Sequence, residues 1–80
     1  MRLPRDLTGA SLIKALRRLG YESTRQTGSH VRLTRPGEPV QHLTVPLHDP
    51  LRVGTLAAIL DAVGDHCGLG REELLRALFD

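Results

Sequence analysis

Four histidines and a single cysteine, Cys67, are the side chains of this 80-residue chain best suited to chemistry. Imidazole and thiolate bind zinc, but no C-x-x-C or H-E-x-x-H spacing occurs, and His66 and Cys67 stand next to each other without a second pair. No metal site and no cofactor are expected. A nucleophilic Cys67 needs a base held beside it, and a neighbouring histidine points elsewhere in most backbone conformations, so an inert, at least partly buried thiol is expected. Gly64, Gly68 and Gly70 fit neither G-x-x-x-x-G-K-[ST] nor a strand-bound G-x-G-x-x-G, and read as turn glycines.

His30 has a different setting. It follows Gly28-Ser29 at the start of an alternating stretch, with Arg25 and Arg32 close in sequence. An imidazole titrates near neutrality, and a cationic surrounding suits a reaction that builds negative charge. Cleavage of an RNA phosphodiester is such a reaction. A base removes the ribose 2′-hydroxyl proton, an acid protonates the leaving oxygen, and cations steady the phosphorane, with no metal required. The competing reading is a surface histidine that happens to lie near arginine.

The charge distribution adds weight to a polyanion partner. Through Arg35 eight basic residues face two acids, a balance of +6, while the remainder carries −4. Clustered Arg and Lys attract phosphate whatever its sequence, although a solvated mixed surface gives the same counts. Lys14, Arg17, Arg18, Arg25, Ser29 and Arg32 are the candidate RNA contacts. No apolar stretch is long enough to span a membrane, and the charged start Met1-Arg2-Leu3-Pro4-Arg5-Asp6 lacks the apolar core of a secretory signal. With one cysteine no intramolecular disulfide forms, so a reducing cytoplasm is expected.

The elements that must position these residues follow from periodicity. Thr8 caps a helix with Leu12, Ile13, Leu16 and Leu19 on one side and Lys14, Arg17 and Arg18 on the other, closed by Gly20. Tyr21 to Gln26 is a weak strand, Thr27-Gly28 a turn, and Ser29 to Arg35 a half-buried strand with Val31 and Leu33 inward. Val40 to Val45 alternates again, with Leu43 and Val45 inward. Pairing Arg32 with His42 and His30 with Thr44 puts all four on one exposed face. Pro46 ends the strand. Thr55 is expected to cap a second helix stopped by Gly64, and a short helix carrying Leu74, Leu75, Leu78 and Phe79 follows. The expected fold is α+β in one domain over residues 1–80: a three-stranded antiparallel sheet in the order α-β-β-β-α, helices on one face, plus a short C-terminal helix.

Five separated pieces of the chain carry a family resemblance. Gly20-Tyr21, Arg25-Gln26-Thr27-Gly28-Ser29-His30, Thr44-Val45-Pro46-Leu47-His48, Gly54-Thr55-Leu56 and Ile59-Leu60 resemble the HicA/YcfA-like toxins of toxin-antitoxin systems, in order across residues 7 to 64. The resemblance implies a double-stranded-RNA-binding-domain-like fold and metal-independent mRNA cleavage. It also implies His30 as the catalytic residue and a HicB-type antitoxin that binds and blocks the toxin. Excluding RNA is the most direct way to silence the site, so the antitoxin is expected to cover the sheet face that carries His30. His48 matches the family's P-x-H element, where it is expected to pin the loop by a hydrogen bond to a carbonyl or to Asp49, the alternative being a catalytic acid. His42 and His66 are expected to be plain surface residues. Only Tyr21 and Phe79 are aromatic, both at core positions, so RNA is expected to be held through its backbone and not by stacked bases. A non-catalytic RNA-binding domain of the same fold, or a protein-interaction domain, would share the charge pattern but would not need a titrating group at position 30.

Overall fold

Thr8 starts the first helix by accepting a hydrogen bond from the Ser11 N–H, which satisfies one of the N–H groups that a helix leaves free at its start. The computed structural model describes residues 3–80; Arg2, one of the eight basic residues counted above, lies outside them. Helix α1 spans Gly9–Leu16 and tightens into a 3₁₀ turn over Arg17–Leu19, and Gly20 then reverses the chain at φ 92°. Leu12, Ile13 and Leu16 are buried and Lys14, Arg17 and Arg18 exposed, as the spacing predicts.

Three antiparallel strands follow, β1 (Glu22–Thr27), β2 (His30–Arg35) and β3 (Gln41–Pro46), in the spatial order β1-β2-β3. Gly28 and Ser29 form a two-residue turn between β1 and β2. Gly28 takes φ 59° and Ser29 does not share its positive φ, the pattern of a type II′ hairpin turn. The β2–β3 register differs by two residues from the expected one: Arg32 faces Thr44, Thr34 faces His42 and His30 faces Pro46. The reason is loop length. Arg35 pairs with Gln41, so the connection holds five residues, one of them Val40, which was expected to open the strand. A shift of two keeps every side chain on its face, so Val31, Leu33 and Val45 are still buried and His30, Arg32, His42 and Thr44 still exposed.

Helix α2 spans Val53–Cys67 and α3 Arg71–Phe79. Two boundary expectations are corrected. Thr55 does not cap α2, because the helix already starts at Val53 after an extended Arg52 without a side-chain cap. Gly64 does not stop it: the helix runs three residues further and ends at Gly68, in the left-handed conformation at φ 69°. The Gly68 and Leu69 N–H groups both donate to the Gly64 carbonyl. Gly64 is instead a close-approach residue, since a Cβ there would lie 2.9 Å from the Leu69 carbonyl oxygen. Helices α1 and α2 pack on the β3 side of one sheet face, and α3 packs on α1 and α2. Together they enclose one core with Leu12, Leu16, Tyr21, Leu33, Val45, Leu60, Val63 and Leu74 at its centre.

Tyr21 anchors this core to the hairpin. Its hydroxyl donates to Gln41 Oε1, and Gln41 Nε2 donates to the Ala62 carbonyl at 3.0 Å. Burial, with Cys67 beside it, pushes the ionisation of Tyr21 far above its usual range, so the hydroxyl stays a neutral donor. Cys67 is half-buried, with Sγ 4.0 Å from that oxygen.

The tightest contact in the fold lies at the start of α1. The Gly9 N–H donates to the His48 carbonyl at 2.9 Å, and a Cβ on Gly9 would stand 2.0 Å from the Pro46 carbonyl oxygen. Gly9→Ala therefore forces backbone against backbone. We expect it to destabilise the protein by about 2 kcal/mol or more, at the upper end of overpacking costs, read as a lower denaturation midpoint in urea. An unchanged midpoint would mean that α1 can move away without loss.

Candidate functional site

The exposed sheet face is polar throughout. On it lie Glu22, Thr24, Arg25 and Thr27 from β1, His30, Arg32 and Thr34 from β2, and His42 and Thr44 from β3. Period-two alternation puts them there, and the inward residues of β2 and β3 hold the face in place by their burial. A register irregularity between Ser23 and Arg25 turns Thr24 onto the same face, where its hydroxyl meets that of Thr34 at 2.8 Å.

His30 stands at the head of β2, directly after the tight turn, opposite Thr27 on one side and Pro46 on the other. Arg25, Thr27, Arg32 and Thr44 surround it in an open groove of about 210 Å³. The ring is exposed and, among the described residues, makes no hydrogen bond, which leaves both nitrogens available to a ligand. The groove contains two guanidinium groups, two hydroxyls, one imidazole and no carboxylate. This set is complementary to a phosphodiester: the arginines supply fixed positive charge and the imidazole a proton carrier. Among the described residues no three of His, Cys, Asp and Glu converge as metal ligands, and no helix is long and apolar enough to cross a membrane.

The other candidates are placed as follows. Arg25 and Arg32 face each other across the β1–β2 pair, beside His30. Ser29 lies in the turn, and its carbonyl accepts the Leu47 N–H at 2.6 Å, which extends the β2–β3 pairing past Pro46. Arg17 borders a second groove, shared with Arg25, between α1 and the edge of the sheet. Lys14 and Arg18 line another depression with Leu78 and Phe79, apart from His30. Arg18 is occupied: its Nη1 donates to the carbonyls of Leu78 at 3.2 Å and Asp80 at 2.8 Å, the free end of α3.

Two histidines, His48 and His66, depart from expectation, and His42 is exposed as expected. His48 is exposed and its ring makes no hydrogen bond among the described residues; the loop is pinned by its backbone carbonyl, which accepts the Gly9 N–H. His66 is not a plain surface residue. Its Nε2 donates to the Pro39 carbonyl at 2.8 Å, so its Nδ1, 3.2 Å from Arg35 Nη1, is the acceptor. Arg35 in turn donates through Nε to the Leu19 carbonyl at 2.6 Å, so both residues tie the hairpin to the helices. His42 shares the His30 face, its Nδ1 2.9 Å from the Thr34 hydroxyl. His30 and Thr34, the partner of His42, are four positions apart, about 13 Å along the strand, so the two imidazoles do not act on one phosphodiester. The signal for the His42 contact was present in the alternation of threonine and histidine but depended on the register.

Residues 9–64 match the family model described as HicA toxin of bacterial toxin-antitoxin, a span that holds every element from α1 into the last turn of α2. No curated protein and no solved structure matches the chain.

The two classes of arginine separate by stability. Arg18→Ala removes both charge-assisted bonds from the end of α3 and is expected to cost about 0.5–1 kcal/mol, whereas Arg32→Ala on the open sheet face stays within about 0.5 kcal/mol of wild type. Equilibrium denaturation of both variants measures this, and the reverse order would place Arg18 free in solution.

Proposed function

The chain belongs to the HicA toxin family of toxin-antitoxin systems, and from that premise we propose that it is an endoribonuclease that cleaves mRNA through His30 and is neutralised by a HicB-type antitoxin protein. The observation that carries this reading is the groove around His30, in which an unencumbered imidazole lies among Arg25, Arg32, Thr27 and Thr44 with no carboxylate to repel phosphate.

The chemistry assigned to the groove is transfer within the RNA. His30 takes the proton from a ribose 2′-hydroxyl, the 2′-oxygen attacks the adjacent phosphorus, and the bond to the 5′-oxygen breaks. The products are a 2′,3′-cyclic phosphate and a 5′-hydroxyl, the latter formed when the leaving oxygen takes up a proton. Arg25 and Arg32 face the extra negative charge of the phosphorane, where charge-assisted hydrogen bonds strengthen as the charge develops. Thr27, Thr44 and Ser29 at the turn offer hydroxyls to the flanking backbone. RNA binding without cleavage is the second reading. It would use the same arginines but gives no role to an imidazole kept free of partners.

His30→Ala is expected to abolish RNA cleavage and growth arrest while changing stability by no more than about 0.5 kcal/mol, since the side chain is exposed. Cleavage by the wild-type protein should persist in a chelator, because the donor set of the groove suits an anion and not a cation. Full activity in a folded His30→Ala protein would remove the catalytic assignment, and loss of activity in chelator would require a metal at the site.

RNA affinity supplies a separate check. Arg32→Ala should weaken binding about equally for unrelated RNA sequences and flatten the logarithmic salt dependence by about one unit, the counterion of one lost phosphate contact. Titrations at several salt concentrations decide this, and an unchanged slope would place Arg32 off the path of the RNA.

A further inference from the structure

Strand β1 is the one element of the sheet with nothing buried. All six of its residues, Glu22–Thr27, are exposed and none is apolar. It pairs with β2 alone, so within the described residues its outer edge presents unpaired backbone N–H and C=O groups. Because α1 and α2 pack toward β3, the helix side of β1 is left uncovered as well. The result is a trough of about 420 Å³ between α1 and β1, running beside that free edge. Ala10, Ile13, Val31 and Leu47 form its apolar floor, Ser23 and Gln26 reach in from β1, and Arg17 and Arg25 stand over it. Leu47 is 38% exposed there, one of only three large apolar side chains so open among the described residues.

We propose that this trough and edge form a docking site for an extended acidic peptide segment of a partner protein, added to the sheet as a fourth strand beside β1. Three features of the site fit one such ligand. The free edge supplies main-chain hydrogen bonds along a strand. The aliphatic floor lies on one face only, so it takes the alternate side chains of a strand. The arginines give complementarity to carboxylates on the guest, with no acidic side chain in the lining to oppose them. A nucleotide fits less well, because no aromatic ring lines the trough for a base to stack on. The site shares only Arg25 with the groove around His30, and the proposal does not depend on cleavage.

The experiment uses the whole protein without RNA and a capped heptapeptide that alternates glutamate with valine, followed by amide chemical shifts and by fluorescence anisotropy of a labelled copy. Shifts concentrated at Ser23–Thr27, Ala10 and Leu47 are expected. A peptide N-methylated on the strand edge that would face β1 should bind about tenfold more weakly or worse, through the loss of two or three main-chain bonds. In Arg17→Glu the acidic peptide should lose affinity by a similar factor and a lysine–valine peptide should gain it, which a folding defect cannot produce. Shifts confined to His30, Arg32 and Thr44, or equal binding of the N-methylated peptide, would overturn the proposal. So would no binding at millimolar peptide, tighter occupation of the trough by a uridine oligonucleotide, or self-association through β1 at rising protein concentration.

Discussion

The fold turns on how closely the start of α1 approaches the segment after β3. Gly9 makes that approach possible, and three main-chain bonds fasten it: Gly9 N–H to the His48 carbonyl, Leu51 N–H to the Leu7 carbonyl, and Leu47 N–H to the Ser29 carbonyl. The first two hold the 47–51 segment against the first residue of α1 and the stretch just before it. The third reaches across to the turn that precedes His30. Since Pro46 is the residue facing His30, the same clasp that seats the helix on the sheet also fixes the head of β2. A proline at this place cannot donate to the ladder, so the bond from Leu47 takes over one residue later. His30 thus sits on rigid backbone while its side chain stays free.

The basic residues divide by what they touch, and net charge alone conceals the division. Arg18 and Arg35 spend their guanidinium groups on carbonyls at the ends of helical turns, which leave carbonyl oxygens unpaired. Arg35 also shares His66 with the Pro39 loop, and together with Tyr21, Gln41 and Ala62 it binds the far end of the hairpin to α1 and α2. Arg25 and Arg32 have no such bonds among the described residues. The electropositive half is therefore partly an internal brace, and Arg25 and Arg32 are the members of it left unengaged beside His30.

Sequence periodicity was sufficient wherever a side chain had one face to bury. The α1 stripe of Leu12, Ile13 and Leu16, the alternation of Val31 and Leu33, and the Leu74–Leu75–Leu78 face all appear where the spacing puts them, because burial of apolar surface is the dominant local constraint. Boundaries and register were less legible because each depends on contacts distant in sequence. Gly64 resembles a helix stop until Leu69 is seen against it, and Gly9 looks like any residue of a first turn until Pro46 is brought near. For the site, the common face of His30, Arg32, His42 and Thr44 followed from parity, which a register shift of two does not alter, whereas Arg25 was placed only by its nearness in sequence. The work of Arg18, Arg35 and His66 did not follow, because their partners lie 16 to 62 residues away along the chain.

The weakest strand in the sequence is also the most consequential for what the surface can bind. β1 reads poorly as a strand because Glu-Ser-Thr-Arg-Gln-Thr has nothing to bury, and for the same reason the helices gain nothing by covering it. Two grooves open on its two sides, one around His30 and one beside α1, and Arg25 lines both. The register irregularity at Thr24 places it there, on a strand edge from which a long side chain reaches either face. A guanidinium engaged by a carboxylate on the α1 side is withdrawn from a phosphate on the His30 side. On the proposed roles of the two grooves, any ligand of the trough that holds Arg25 weakens phosphate at His30, and phosphate weakens that ligand by the same factor, since coupling between two sites is reciprocal.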